Sequence, residues 1–575
     1  MRHVLHFGLA WMVLLLGACD LTFGEEELLR NQCSRDDDCA GAVCEPEAGI
    51  CVTPSIPSME VGLTVSAPSG GSSSAPPEVA LPPTEVDGPL EHDLDLPPSI
   101  LVAGRIRSED TGAQVPAQVR FLQASPLEGT APTELVTSTS PVLLPSGVEA
   151  DYQLRVVAGG SYDVIVEPTG DAARAFPPLY LGELEAPAEG DVWSLDIRYP
   201  ASLVSEEGSV FSYDEEQEVP EDGLQVRAVE VATGRVVSSA ALTGMTATAP
   251  PEESEPGHFT LHLSPGAGPF VLRITAGADR PYFPTLTLDP ELSFPSELVV
   301  PDLEPVTYEG VVEASSVAGG GPVGDAVVKL RSEDLFGDES AIRGTFRTTV
   351  TTDEDGRFTA EVLPGTYDVI VSPSGGGAMS GSEGATGTTG KLGVLVHSDV
   401  RIETTDTAVR GQLFMVPLRS QLGGEVRSFD GRPMVGTTVQ ATALGRSIEA
   451  HPESQFNRSS NAVVDGSGLF DLRLDVGVFD LSARPPGGSG FPRVVMPEWT
   501  MSSPGSLVSR RIDVPAPVPV RGVVRSADGT ALAGAEVEAY TVVRDVEETP
   551  RSVTLGRAVT GADGSYELFL APPVL

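Results

Sequence analysis

The sequence predicts an all-β chain of tandem β-sandwich domains, about five in number, behind a cysteine-rich segment and a disordered linker. Three observations carry this. First, Asp353–Val371 reads DEDGRFTAEVLPGTYDVIV, with Phe358, Ala360 and Val362 alternating before a Pro-Gly turn and Tyr367, Val369 and Val371 after it. That is the period of half-buried strands, and two strands across a short turn are expected to pair as a hairpin. Second, variants recur at 151–166, 257–274, 465–483 and 561–570, and YDVIV at Tyr162–Val166 returns unchanged at Tyr367–Val371. Third, a Gly that opens an apolar-polar strand recurs at Gly104, Gly208, Gly310, Gly424 and Gly522. A repeat of about 100 residues is too long for a solenoid unit and fits a self-sufficient sandwich.

Taken in order, residues 1–19 read as a lipoprotein signal peptide. Arg2 gives a positive start, and Phe7–Leu16 is an apolar run too short for a confident membrane-spanning helix. It ends in Leu16-Gly17-Ala18-Cys19, which resembles a bacterial lipobox whose Cys19 is acylated and becomes the mature N-terminus. The alternative is an ordinary secretory signal with an incidental cysteine. A lipid chain anchors without spanning, each buried CH₂ adding about 0.8 kcal/mol. The expected place is the cell envelope, at the outer or inner membrane.

Residues 20–53 hold Cys33, Cys39, Cys44 and Cys51. In an exported chain these read as two disulfides, with three pairings open. A Cys₄ zinc site is the alternative, but no C-x-x-C pair occurs and an oxidising compartment disfavours free thiolates. Asp36-Asp37-Asp38 reads as a solvated acidic loop. Residues 54–98 turn to Pro, Ser and Gly, as in Pro68–Ser74, and are expected to be a linker that holds the rest off the membrane. Near its end Asp93–Pro97 resembles the later junctions at Leu195–Pro200, Leu298–Pro301, Leu413–Pro417 and Ile512–Pro515, although no unit precedes it.

Sandwich repeats are then expected at 99–200, 201–304, 305–417, 418–517 and 518–575. The fifth is incomplete: Tyr566–Leu570 is followed by Ala571-Pro572-Pro573-Val574-Leu575, where the third copy continues into another strand. Either the sequence is a fragment, which is the expectation, or the last unit borrows a strand. An unpaired edge is an aggregation hazard.

The formal charge is −46, and of 36 basic residues only Lys329 and Lys391 are lysines. Such acidity repels phosphate backbones and argues against nucleic acid as a partner. It also leaves only Lys329 on a unit's strand, too few for repeated isopeptide cross-links.

The repeats resemble the carboxypeptidase regulatory-like domain, a transthyretin-like seven-stranded sandwich. The resemblance rests on Gly522–Gly529, Asp353–Phe358 and Pro364–Val369, and it spans roughly 99–575. It implies fold more than function. In peptidases the domain is an accessory, and the catalytic domain's His-x-x-Glu is absent here: His92, His258, His262, His397 and His451 have no Glu three residues later. No G-x-S-x-G occurs either. His258 and His262 lie on an alternating strand rather than on one helix face. Asp353, Asp355 and Gly356 resemble part of a calcium loop, but position 364 is Pro where an EF-hand needs Glu. No cofactor or metal is expected.

The reading that follows is a non-enzymatic, lipid-anchored envelope protein that spaces or adheres, with an unknown protein or glycan ligand. The alternative is a carbohydrate-binding array that uses exposed aromatics, for which Trp193 and Trp499 are the candidates.

Overall fold

The computed structural model describes residues 30–574, apart from 69–74, 128, 129, 131, 145, 215, 216, 246–254, 278, 289–296, 301–303, 337–341, 375–387, 404–408, 447–451 and 545–548. The signal segment and Cys19 lie outside the described residues. The fold is all-β, as expected, and five apolar cores recur along it, one per sandwich.

The chain starts with a knob. Strands β1 (Val43–Glu45) and β2 (Ile50–Val52) pair antiparallel. Disulfides join Cys33 to Cys44 and Cys39 to Cys51, one of the three pairings the spacing left open. The bridges stand in for a core that so short a segment lacks. Asp36, Asp37 and Asp38 are exposed; the Asp36 carboxylate accepts the Cys44 amide, and that of Asp38 accepts the amides of Ser34 and Arg35.

The expectation of a linker over 54–98 is corrected here. The stretch carries β3 (Met59–Ser66), β4 (Glu78–Val86), β5 (Leu90–Glu91) and β6 (Leu94–Asp95). Val61, Leu63 and Val65 alternate into a core.

The third unit shows the common plan. Its strands are β7 (Val306–Ala314), β8 (Val327–Ser332), β9 (Ile342–Thr351), β10 (Arg357–Val362), β11 (Gly365–Ser372), β12 (Leu395–Ile402) and β13 (Val409–Val416). One sheet runs β9-β8-β11-β12 and the other β10-β7-β13, with β7 and β13 parallel. The central motif is therefore not a hairpin. β10 pairs with β7 in one sheet, and β11 pairs with β8 and β12 in the other. The turn is an arch between sheets. Both alternating faces bury into the same core from opposite sides, which two coplanar strands cannot do. Leu363 is buried at the arch, and its carbonyl accepts the Tyr367 hydroxyl at 2.7 Å.

The fifth unit has the same plan assembled from both parts of the chain. Its C-terminal strands are β14 (Val518–Arg525), β15 (Glu536–Arg544), β16 (Pro550–Val559) and β17 (Ser565–Leu570). One sheet runs β4-β3-β15-β16, and the other runs β17-β14-β5, with β6 also on β14. Thus β3 and β4 occupy the places of β11 and β12, and β5 and β6 that of β13. The last unit borrows four strands, and its core joins Val61, Leu63, Val65, Leu94 and Leu96 to Val518, Val537, Leu555 and Leu568. Apolar transfer of those five borrowed side chains is worth on the order of 10 kcal/mol as an upper bound.

Since both parts of the chain enter one sandwich, the five units form a closed cycle. Units 1 and 2 meet where Tyr180 donates to the Val236 carbonyl and Arg235 lies over the Tyr180 ring. Units 2 and 3 fuse into an eight-stranded sheet through Thr285–Leu288 on β9. Units 3 and 4 share a buried cluster: the Arg458 guanidinium donates twice to Asp475 and once each to the unit 3 carbonyls of Pro373 and Leu392, Asp475 also accepts the Val394 amide, and Arg419 lies 3.4 Å from Asp475. Burial raises the Asp475 carboxyl, but the Arg458 hydrogen bonds and the two cations outweigh it and hold the group below its usual range. Units 4 and 5 are joined by the forked Arg551–Asp480 pair. Units 5 and 1 meet at Val79 of β4, which sits in the unit 1 core.

Candidate binding site at the closure

The recurring glycine explains how the closure is made. In unit 1 a Cβ on Gly104 would lie 1.9 Å from the Leu195 carbonyl oxygen, so only Gly lets the closing strand approach. The Asp196 carboxylate then accepts the Arg105 amide at 2.8 Å, and Tyr152 donates to the Leu195 carbonyl at 2.7 Å. Unit 5 repeats every contact across its two parts. A Cβ on Gly522 would meet the His92 carbonyl oxygen at 2.0 Å, Asp93 accepts the Val523 amide at 2.9 Å, and Tyr566 donates to the His92 carbonyl at 2.7 Å. Arg525 adds a 2.7 Å bond to Asp93. That bond, with the Val523 amide, holds the Asp93 carboxyl below its usual range.

The knob is seated against units 4 and 5. Buried Asn31 donates to the carbonyls of Cys51 and Gly490 at 2.7 and 3.0 Å, and its own amide donates to Ser489. Phe429 of unit 4 packs on the cystines. Glu45 accepts from Arg521 of β14 at 2.6 Å, and Thr53 bonds the carbonyls of Ala516 and Pro517. The knob therefore fixes the point where the chain leaves the ring toward Cys19.

Beside the knob, units 4 and 5 enclose a cleft of about 1250 Å³. Its unit 4 wall is the end of the strand Gly477–Arg484 and the following loop through Arg493. Its unit 5 wall is β14, β16 and β17, with Arg521, Arg557 and Glu567, and Glu536 of β15.

The residues singled out from sequence are scattered. Trp193 is half-buried in unit 1 and packs edge-on against Phe121 at 6.2 Å between centroids. Trp499 is half-buried in unit 4, opposite Phe479. The two indoles are not brought together, and neither lines the cleft. His258 and His262 lie on one strand, and the His262 ring is hydrogen-bonded to Ser205 Oγ. Burial pushes that imidazole below its usual range. Asp353 Oδ1 accepts the amides of Asp355 and Arg357, which is the bonding of a turn. The cleft arginines were missed because they become neighbours only when unit 5 closes. Among the described residues no helix is long and apolar enough to cross a membrane.

No protein-family model matches the chain, and no curated protein does. Among solved structures it is similar to a streptococcal ancillary pilin at 12% identity over 56% of this chain and 99% of that one, TM-score 0.19. It is similar to a minor pilin of Streptococcus agalactiae at 13% identity over 37% and 96%, TM-score 0.22. It is also similar to the Bacillus anthracis TIE protein at 12% identity over 71% and 76%, TM-score 0.15. Values this low carry no argument about role.

Proposed function

We propose that this is a non-enzymatic, lipid-anchored protein of the cell envelope. Its ring of β-sandwiches, related to carboxypeptidase regulatory-like domains, acts as a spacer and adhesive surface. The observation that supports it best is the seating of the knob. The chain enters the folded body at Asn31, only a dozen residues after the lipobox cysteine. A chain of that length reaches at most roughly 40 Å. An acylated Cys19 would hold the unit 4–unit 5 side of the ring near the membrane and leave units 2 and 3 outward. Spacing then comes from folded sandwiches and not from a flexible stalk. The acidity, the scarcity of aromatics and the lack of His-x-x-Glu and G-x-S-x-G motifs favour a structural role over catalysis.

The test is metabolic labelling with a fatty-acid analogue in wild type and Cys19→Ser, followed by membrane fractionation. The expected result is a labelled, membrane-bound wild type and an unlabelled variant released to the soluble fraction. Equal labelling of the two would remove the anchor from this reading.

A further inference from the structure

The cleft between units 4 and 5 is unusual for this chain. In a protein of charge −46, four arginines line it: Arg484, Arg493, Arg521 and Arg557. Most of the acids beside them are already engaged. Glu567 is held by Arg521 at 2.5 Å, Asp93 by Arg525 at 2.7 Å, and Glu536 lies 3.5 Å from Arg557. Glu91 is the remaining lining carboxylate. Among the described residues Arg484 and Arg493 form no ion pair. Arg493 has a single hydrogen bond, 3.2 Å to Ser482 Oγ. Burial, then the like charges of Arg484 and Arg557, push its guanidinium below the usual arginine range, against the pull of Asp480 and Glu538.

Three buried donors along the lining also lack an acceptor: Arg493 Nε, Arg521 Nη2 and the hydroxyl of Ser489, whose residue is 5% exposed. A buried donor without a partner costs about 1–3 kcal/mol, and three on residues that line one cleft form a pattern. An acceptor-rich anion that reaches these donors would satisfy them and offset the like charges around Arg493. The cleft is much larger than a single oxyanion, so it suits an oligomer that carries several.

We propose that the unit 4–unit 5 cleft is a binding site for an oligomeric oxyanion, a carboxylate- or phosphate-bearing chain, held by Arg484, Arg493 and the free donors of Arg521 and Ser489. The site exists only in the closed ring, because one of its walls is the fifth unit. It does not depend on the lipid anchor, so the labelling experiment above can fail while this one succeeds.

The test is isothermal titration of the full chain in mild detergent at low ionic strength. The probes are hexameric galacturonate, short-chain polyphosphate and, as a neutral control, maltohexaose. The expected result is binding of at least one anion, no binding of maltohexaose, and affinity that falls as salt is raised. The double variant Arg484→Ala/Arg493→Gln is expected to bind at least tenfold more weakly with an unlowered melting temperature, since it relieves like-charge crowding. Arg347→Ala, an exposed arginine of unit 3, is expected to bind as wild type does. Galacturonate binding alone assigns a uronate-type ligand, and polyphosphate binding alone a phosphate-type one. Absence of heat with both anions at millimolar concentration, unchanged binding by the double variant, or equal binding of maltohexaose would each overturn the proposal.

Discussion

Units 1 and 5 make the same joint from very different lengths of chain. In both, a glycine admits the carbonyl of the closing strand, an aspartate on that strand accepts the next amide, and a buried tyrosine ties the carbonyl down. The aspartate and its amide are 91 residues apart in unit 1 and 430 apart in unit 5. The sandwich is indifferent to this separation because its stability lies in local contacts and burial. Treated as flexible loops, the two closures differ by only about 1.4 kcal/mol. Order of assembly separates them. Unit 1 is complete within one continuous segment, whereas β14–β17 expose unpaired edges until β3–β6 arrive. Closure of the fifth unit is thus the step that makes the ring and the cleft beside it.

The largest expected effect comes from deleting residues 59–95. Hydrogen exchange should then show complete loss of amide protection over 518–571, with most of the protection retained over 106–199. Retained protection over 518–571 would mean that the C-terminal strands fold without their partners.

A smaller effect sharpens the equivalence of the two joints. Gly104→Ala and Gly522→Ala should each cost about 1–3 kcal/mol by the strain of an added methyl group. Exchange should locate the loss in unit 1 for the first variant and in unit 5 for the second. A silent Gly522→Ala beside a costly Gly104→Ala would break the equivalence.

The smallest effect is on acid sensitivity. The Arg525 bond and the Val523 amide lower the folded Asp93 carboxyl from its ordinary value of 3.8. Its contribution is therefore fully present above that value and is lost as pH falls through the lower folded one. Asp93→Asn should flatten the dependence of unit 5 protection on pH between about 5 and 2. An acid dependence identical to wild type would take Asp93 out of the closure.

Some of this was legible in residues alone. Alternation at Phe358–Val362 and Tyr367–Val371, repeated about every hundred residues, specified sandwiches. The same letters did not say that the two strands lie in opposite sheets, because alternation fixes which side chains are buried and not what each strand pairs with. The borrowed strands had a signal that composition hid. Val61, Leu63 and Val65 alternate, and Asp93–Pro97 matched the later junctions with no unit before it, while the fifth unit lacked that junction.

By itself the sequence determined the all-β class, the repeated unit and its glycine, since these follow from local pattern and steric demand. The disulfide pairing, the donation of β3–β6 to the last unit, the closed cycle and the arginine cleft were decided by tertiary structure. Each depends on residues far apart in the chain, and no local pattern encodes which distant partner completes a strand edge.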